Sequence, residues 1–422
     1  MPKLKATVKK KLKEPGYRRA FLLVLMFGVI SLFSNMDYQA SRSLNGSFLG
    51  ELGASAIIVG LITGLAEFLG FSLRLLTGFL MDKSRAYWGF TFVGYSMLVV
   101  VPLMALADTW ELAAVLIILE RISKAVRVPA KDTILSMAAR RIGTGYGFGI
   151  QKTLDQMGGI SGPLVMSLVL SGVIGDNFLG LNSYKMAYSL LWIPFVLMCI
   201  ATVITYKIVP KPEKLEEELH SENKGKSLNR DKPTYSQNTK GKNLSQDFWI
   251  YSIFTALASM GFINFTLLGY HANATHLLSD SAIPFYYALA MAGGGVAAFF
   301  TGKIYDKLGF SVMYVVPILS IPLPFLGFLG DSPLLLIVAI FLFGVSLGIQ
   351  ETIAKAAVAD LTPLKNRGLG YGVFNAINGV GVLASGVLMG YLYTWAPLSV
   401  CIFATIIELG GLFVLMYFLR KR

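Results

Sequence analysis

Gly78-Phe79-Leu80-Met81-Asp82-Lys83 ends one apolar stretch of this chain, and 224 positions later Gly302-Lys303-Ile304-Tyr305-Asp306-Lys307 ends another. The two share an outline: a glycine, then an Asp-Lys pair starting four residues on. The same offset of 224 joins Lys131 to Lys355 and Gly162 to Gly386. Tyr146 in Gly145-Tyr146-Gly147 and Tyr371 in Gly370-Tyr371-Gly372 are 225 apart. The chain carries one architectural unit twice.

Composition places both units in a bilayer. Of 422 residues, 55% are hydrophobic and only 14% charged, where a soluble domain carries about 25% charged residues. Mean hydropathy is +0.62. A formal net charge of +13 could suggest nucleic acid as a partner. Its placement excludes that reading, because the basic residues gather in the tails and in alternate loops. Cys199 and Cys401 sit in apolar runs, so they read as packing residues and imply neither a disulfide framework nor a metal site. No cofactor is indicated. Residues 1–19 are lysine-rich and lack a small-residue cleavage site, which reads as a tail and not a cleaved signal.

A helix needs about 20 mainly apolar residues to cross the hydrocarbon core. That rule gives twelve spans, at 20–45, 55–81, 87–107, 111–138, 146–174, 185–208, 247–271, 282–305, 310–330, 333–360, 368–394 and 397–419. They are referred to below as helices 1 to 12. The expected fold is an all-α membrane protein of two pseudo-symmetric six-helix bundles, 20–208 and 246–419. A linker at 209–245 and tails at 1–19 and 420–422 complete it. The linker is polar, rich in Lys, Glu, Ser and Asn, and lacks apolar periodicity. Eight basic residues lie between Lys3 and Arg19, nine lie in 207–243, and Arg420-Lys421-Arg422 end the chain. The positive-inside rule then puts both termini and the linker in the cytoplasm, with the chain in the plasma membrane. Two similar bundles can rock about a central site and expose it to one side at a time.

Ionisable side chains at membrane depth are costly unless they are paired or wet, so each marks a functional candidate. Helix 1 carries Asn35, Asp37 and Arg42. Helix 2 carries Glu67 and Arg74, seven residues apart and on one face. Helix 4 carries Glu120, Arg121, Lys124, Arg127, Lys131 and Asp132, and helix 5 carries Gln151, Lys152 and Asp155. At 1.5 Å per residue, Glu67, Glu120 and Arg121 fall on the order of 14–18 Å from the outer surface, near the midplane. Asp37 and Arg121 lead the candidates for substrate or proton handling, and Glu67 follows. A carboxylate beside an arginine can exchange a proton as a cavity opens and closes, because burial and pairing act on it in opposite senses. The plainer reading is mutual pairing between helices of the first bundle, and it suits Arg74, Lys124, Lys152 and Asp155 best. In the second bundle Asn264, Glu351, Lys355 and Asn375 are the pathway candidates. His271 reads as an ordinary helix-end residue, and a metal pair with His276 is disfavoured by its spacing.

These residues resemble the major facilitator superfamily from helix 1 to helix 12. That family's loop after helix 2 reads Gly-x-x-x-Asp-Arg-x-Gly-Arg. Gly78, Asp82 and Lys83 match it, as do Gly302, Asp306, Lys307 and Gly309 in the second half. In the first copy Arg85 stands where the family has glycine. Arg121-Ile122-Ser123-Lys124-Ala125-Val126-Arg127-Val128-Pro129-Ala130-Lys131-Asp132 is similar to a prokaryotic branch of unassigned substrate, Arg-x-Gly-Lys-Gly-x-Arg-x-Pro-x-Arg-Asp. The resemblance implies a conformational latch drawn from Gly78, Asp82, Lys83, Arg127, Asp306 and Arg367. In it Asp82 would accept from amides at the start of helix 11, where the helix dipole favours an anion. Gly158-Gly159-Ile160-Ser161-Gly162-Pro163 is similar to the Gly-x-x-x-Gly-Pro motif of the superfamily's proton antiporters. Gly158, Gly162 and Pro163 thus lean toward efflux, though close helix packing explains the glycines equally well.

The reading is a secondary active transporter of a small solute, working as a monomer by alternating access and coupled to H+, with efflux favoured. No Gly-x-x-x-x-Gly-Lys-Ser/Thr loop offers an ATP site, and no His, Asp and Glu cluster suggests an enzyme. Nutrient or organic-anion uptake, and a non-transporting receptor on the same scaffold, stay open as alternatives.

Overall fold

The computed structural model describes residues 15–174, 181–215, 244–362 and 367–421. Most of the expected linker, 216–243, lies outside the described residues. Among the described residues, twelve membrane-length rods follow one another in alternating direction. They are α1 (Pro15–Glu51), α2 (Ala56–Ser84), α3 (Tyr87–Leu106), α4 (Trp110–Ile142), α5 (Thr144–Leu170) and α6 (Leu181–Ile208). In the second half follow α7 (Gln246–Ala274), α8 (Ala282–Leu308), α9 (Gly309–Phe328), α10 (Pro333–Leu361), α11 (Arg367–Trp395) and α12 (Pro397–Lys421). Ten of these described rods are long and apolar enough to cross a membrane by length and composition alone. The other two are α4 and α5, which carry the dense charge of helix 4 and the Gln151-Lys152 and Asp155 group of helix 5. Twelve crossings put Pro15 and Lys421 at one end of the bundle, here the terminal end; the opposite end is the distal end.

The rods start and stop where local chemistry tells them to. Ser55, Thr109, Ser245 and Ser332 precede helices and their side chains accept from amides of the first turn, which satisfies donors the helix cannot. Pro333 and Pro397 open α10 and α12, where a missing N–H costs nothing. Observed helices overrun the expected spans by up to six residues, because the apolar rule stops a span at its first polar turn. One difference is of kind. The expected continuous helix 7 is two pieces, α7a (Gln246–Gly261) and α7b (Phe265–Ala274). Asn264 restarts it, with Oδ1 accepting from the Thr266 amide at 3.0 Å and the Thr266 hydroxyl at 3.1 Å.

The repeated turn explains its own glycine. Gly309, closing the second copy, has φ +56°, and Arg85, its counterpart in the first, has φ +54° and ψ +18°. The turn needs positive φ in both halves, with Gly309 at ψ −139° and Arg85 in the left-handed region, where a side chain costs about 1–2 kcal/mol. Arg85→Gly is therefore expected to hold or raise the melting temperature, with a gain of up to about 1 kcal/mol once glycine's extra unfolded freedom is subtracted. Arg85→Val should lower it. Thermal unfolding of the purified variants decides this, and a marked loss in Arg85→Gly refutes it.

The two halves are packed differently. The first has one continuous apolar core, with Leu23, Phe27, Phe48, Tyr95, Ile117 and Tyr188 at its centre. The second has two, a distal one around Phe265, Tyr287, Phe343 and Val400 and a terminal-end one around Tyr251, Ile353, Phe374 and Phe418. The division falls at the break in α7. Outward-facing Phe79, Phe299, Ile318, Ile406 and Phe413 stay exposed, as a lipid-facing surface requires.

Candidate functional site

The halves meet through α2 against α11 and through α5 against α8. A shift of one half-repeat turns the first pair into the second, the signature of a pseudo-two-fold axis along the bundle. Glycine makes the first contact possible. A Cβ on Gly60 would enter the Gly386 carbonyl, and one on Gly386 would lie 2.9 Å from Gly64 Cα. At the distal end α1 also closes on α7b: Ser47 Oγ donates to the Gly269 carbonyl (3.3 Å), and Asn273 Nδ2 donates to Glu51 Oε1 (3.3 Å). Ser167 Oγ donates to the Ser281 carbonyl at 2.7 Å. Nearer the midplane Tyr287 OH donates to Gln39 Oε1 (2.7 Å), and Gln156 Nε2 to the Met291 carbonyl (2.9 Å). These bonds between the halves lie in the distal half or at mid-depth. Toward the terminal end Lys152 is 64% exposed.

Inside this frame sits a buried charge cluster built from α1, α2 and α4. Arg121 is its hub. Its guanidinium hydrogen-bonds Glu120 Oε2 at 2.8 Å, lies 3.3 Å from Glu67 Oε1, and stacks on the Tyr38 ring at 4.6 Å. Arg42 stands 3.7 Å from the same Glu67 oxygen, and Lys124 Nζ sits 3.8 Å above the Tyr38 ring. Gly70 faces the Arg121 backbone and Cβ, so α2 and α4 approach closely enough to bring Glu67 to the arginine. Pairing of this quality is what buried charges need, since a carboxylate without a cation costs several kcal/mol.

Asp37 is apart from this cluster, although it precedes Tyr38 in sequence. It is fully buried, and neither carboxylate oxygen has a hydrogen-bond partner among the described residues. The groups whose fields it shares are Arg127 and Cys199, so it looks into the first bundle and Arg121 looks across it. Arg127 bonds to Ser123 Oγ (2.7 Å), which donates to the Gly94 carbonyl (2.7 Å) and ties α4 to α3. Lys152 and Asp155 do pair (3.0 Å), but along one helix and not between two.

The remaining candidates are spread out. Asn264 spends its side chain as the cap of α7b. Asn375 is half-buried on α11 and Glu351 is exposed on α10. Gly158 and Gly162 pack against the Leu32 and Met36 carbonyls of α1, and Pro163 lies inside α5, so the glycines of this helix-5 motif serve a tight helix pair. Gly78 and Lys83 are at the terminal end of α2. The side chains of Asp82, Asp306, Lys355 and Arg367 lie outside the described residues, and with them most of the expected latch. Sequence reasoning missed Tyr38, Gln39 and Tyr287 as partners of the cluster. A polar aromatic beside Asp37 was the available signal.

A two-fold of six-helix bundles around a buried charged core defines a membrane transporter, and the chain matches the Major Facilitator Superfamily profile over residues 21–321 and again over 250–422. It belongs to that superfamily. An uncharacterised protein of Mycobacterium tuberculosis is 35% identical over 405 residues, covering 95% of this chain and 93% of the other. An uncharacterised MFS-type transporter of Methanocaldococcus jannaschii is 25% identical over 407 residues, covering 93% and 94%. Among solved structures, a nucleoside transporter, NupG, superposes with TM-score 0.67 at 15% identity over 94% of this chain and 98% of that one. A peptide transporter, POT, in complex with sulfate gives 0.66 at 14% identity over 95% and 94%. At these identities the likeness is one of fold.

Proposed function

We propose that the chain is a secondary active transporter of a small solute in the plasma membrane, with both termini cytoplasmic, working as a monomer by alternating access. Coupling is to protons, and export is favoured over import. The observation that supports this is a buried charge cluster beside an interface hydrogen-bonded at the distal and middle levels. That arrangement corresponds to a state closed toward the outside. Substrate meets Arg121 and Glu67, with Glu351, Lys355, Asn264 and Asn375 across the passage. The latch of Gly78, Asp82, Lys83, Arg127, Asp306 and Arg367 forms when the cytoplasmic side closes in turn.

Asp37 is the proton carrier in this reading. Both of its carboxylate oxygens are buried without a hydrogen-bond partner among the described residues, and α1 joins the first bundle to the distal seal. Reconstituted in vesicles with a panel of solutes, Asp37→Asn is expected to lose flux driven by a pH gradient while keeping solute counterflow. Asp155→Asn, whose carboxylate pairs with a neighbouring lysine near the surface, is expected to keep both. If the two variants behave the other way round, Asp37 is not the carrier.

A second reading, uptake of an organic anion, is favoured by the balance of the cluster. Arg42, Arg74, Arg121 and Lys124 surround Tyr38 and Glu67, with Glu120 and Glu351 the other carboxylates in their field. Four basic side chains against three carboxylates leave one for a carboxylate or phosphate ligand to meet. Competition between anionic and neutral solutes of similar size separates the readings.

A further inference from the structure

The second bundle holds a buried carboxylate that the transport pathway does not use. Glu408 lies midway along α12, one of the outer rods, yet it is 1% exposed and its Oε1 has no hydrogen-bond partner among the described residues. It reaches inward to the break in α7. A Cβ on Gly261, the last residue of α7a, would lie 2.8 Å from Glu408 Cγ and 3.2 Å from its Oε1, so the missing side chain is what admits the carboxylate. Ser320 of α9 is buried beside Glu408, with its hydroxyl set against the carboxyl group.

The helix end beside it is the wrong sign for an anion. The last four carbonyls of a helix have no intrahelical donor, and the C-terminal end of a helix carries the negative pole of its dipole. The α7a end brings such carbonyls to a carboxylate in a low-dielectric interior. The helix does not continue past them, because Phe262 is extended, with φ −82° and ψ +127°. Ser385 Oγ donates to the Phe262 carbonyl at 3.0 Å and so holds the break open from α11. Glu408 and Ser320 meet at the end of α7a, between α7, α9 and α12, and the polar atoms they bring are all oxygens. An all-oxygen set selects a hard cation. A single carboxylate balances one positive charge, and a divalent ion would leave a net charge buried. Broken membrane helices use such carbonyl ends to coordinate ions.

We propose that Glu408, Ser320 and the open carbonyls at the end of α7a form a binding site for a monovalent metal cation, with sodium the ion that fits, in the core of the second bundle. The ion joins α12 and α9 to the break in α7 and stiffens the joint from which α7b swings against α1. This site is separate from the Arg121 cluster and does not depend on the transport reading above.

The test is thermal unfolding of the purified full-length protein in sodium chloride against choline chloride at equal ionic strength. Wild type is expected to show a saturable rise in Tm with sodium that choline does not give. Glu408→Gln should abolish the rise, and Ser320→Ala should move its half-saturation to higher sodium. Gly261→Ala, which fills the gap with a methyl group, should also abolish it and serves if Glu408→Gln does not fold. Equal melting in sodium and choline overturns the proposal, as does a sodium response that survives in Glu408→Gln. Stabilisation by lowered pH with no sodium dependence overturns it too, by assigning the site to a proton.

Discussion

Arg121→Gln is expected to reduce transport at least about 100-fold and to lower the melting temperature sharply. The size follows from what the guanidinium holds. Glu120 has Arg121 as its one ion-pair partner among the described residues, through Oε2 at 2.8 Å, and its Oε1 has no hydrogen-bond partner in that set. Glu67 keeps Arg42 at 3.7 Å when Arg121 is gone. Removing the hub thus strands Glu120 more than Glu67. Leaving one buried charge uncompensated costs about 3–5 kcal/mol, a large share of a membrane bundle's stability. The double variant Arg121→Gln, Glu120→Gln should recover most of the stability, because it removes the stranded charge, and none of the transport. Arg121→Lys should fold and still fail. One ammonium cannot bond Glu120, approach Glu67 and stack flat on Tyr38 together, whereas the planar fork does all three. Purified variants, their unfolding temperatures and counterflow in vesicles provide the measurements. If the double variant transports as well as wild type, the cluster is scaffolding and the substrate site lies elsewhere.

The contrast between Asp37 and Arg121 shows how far the residues alone can be read. Span lengths, capping residues and a repeat of 224 positions specify twelve crossings and two bundles, because membrane helices must satisfy their own backbone and so declare themselves by length. The stripe on α4 is legible as a face. Which group each charge meets is not, since that depends on the rotation of α1 and α2 about their own axes. Tyr38 turns toward Arg121 and Lys124, and one residue earlier Asp37 turns to the other side. Lys152 and Asp155, expected to link helices, instead pair within one. The break in α7 is hidden for a different reason. Gly261-Phe262-Ile263-Asn264 is too apolar to look like a loop, and only Asn264, a good capping residue, hints at a restart.

Gly60→Leu is expected to abolish transport while leaving the fold intact, and its value lies in where the damage is seen. Gly60, Gly64, Gly386 and Gly390 put the α2 backbone against that of α11, with Gly390's Cβ position 3.2 Å from Gly60 Cα. No rotamer escapes this, because the obstacle is main chain and not a side chain that can swing aside. A leucine there must force the helices apart by roughly the depth of a side chain, as small-residue interfaces in membranes predict. The first bundle's own core does not contain Gly60, so the bundles should survive and only their distal approach should fail. Ser47 reports on that approach from another helix pair. It is 2% exposed and bonded to Gly269. In a Cys199→Ser, Cys401→Ser background, Ser47→Cys should resist an impermeant maleimide applied from the distal face. Adding Gly60→Leu should make it react, because two rigid bundles that part at α2 and α11 must also part at α1 and α7b. Continued protection of Ser47→Cys with transport lost would mean that the helices yield locally. The halves would then not rock as bodies, and alternating access by rigid rotation would be the wrong description of this protein.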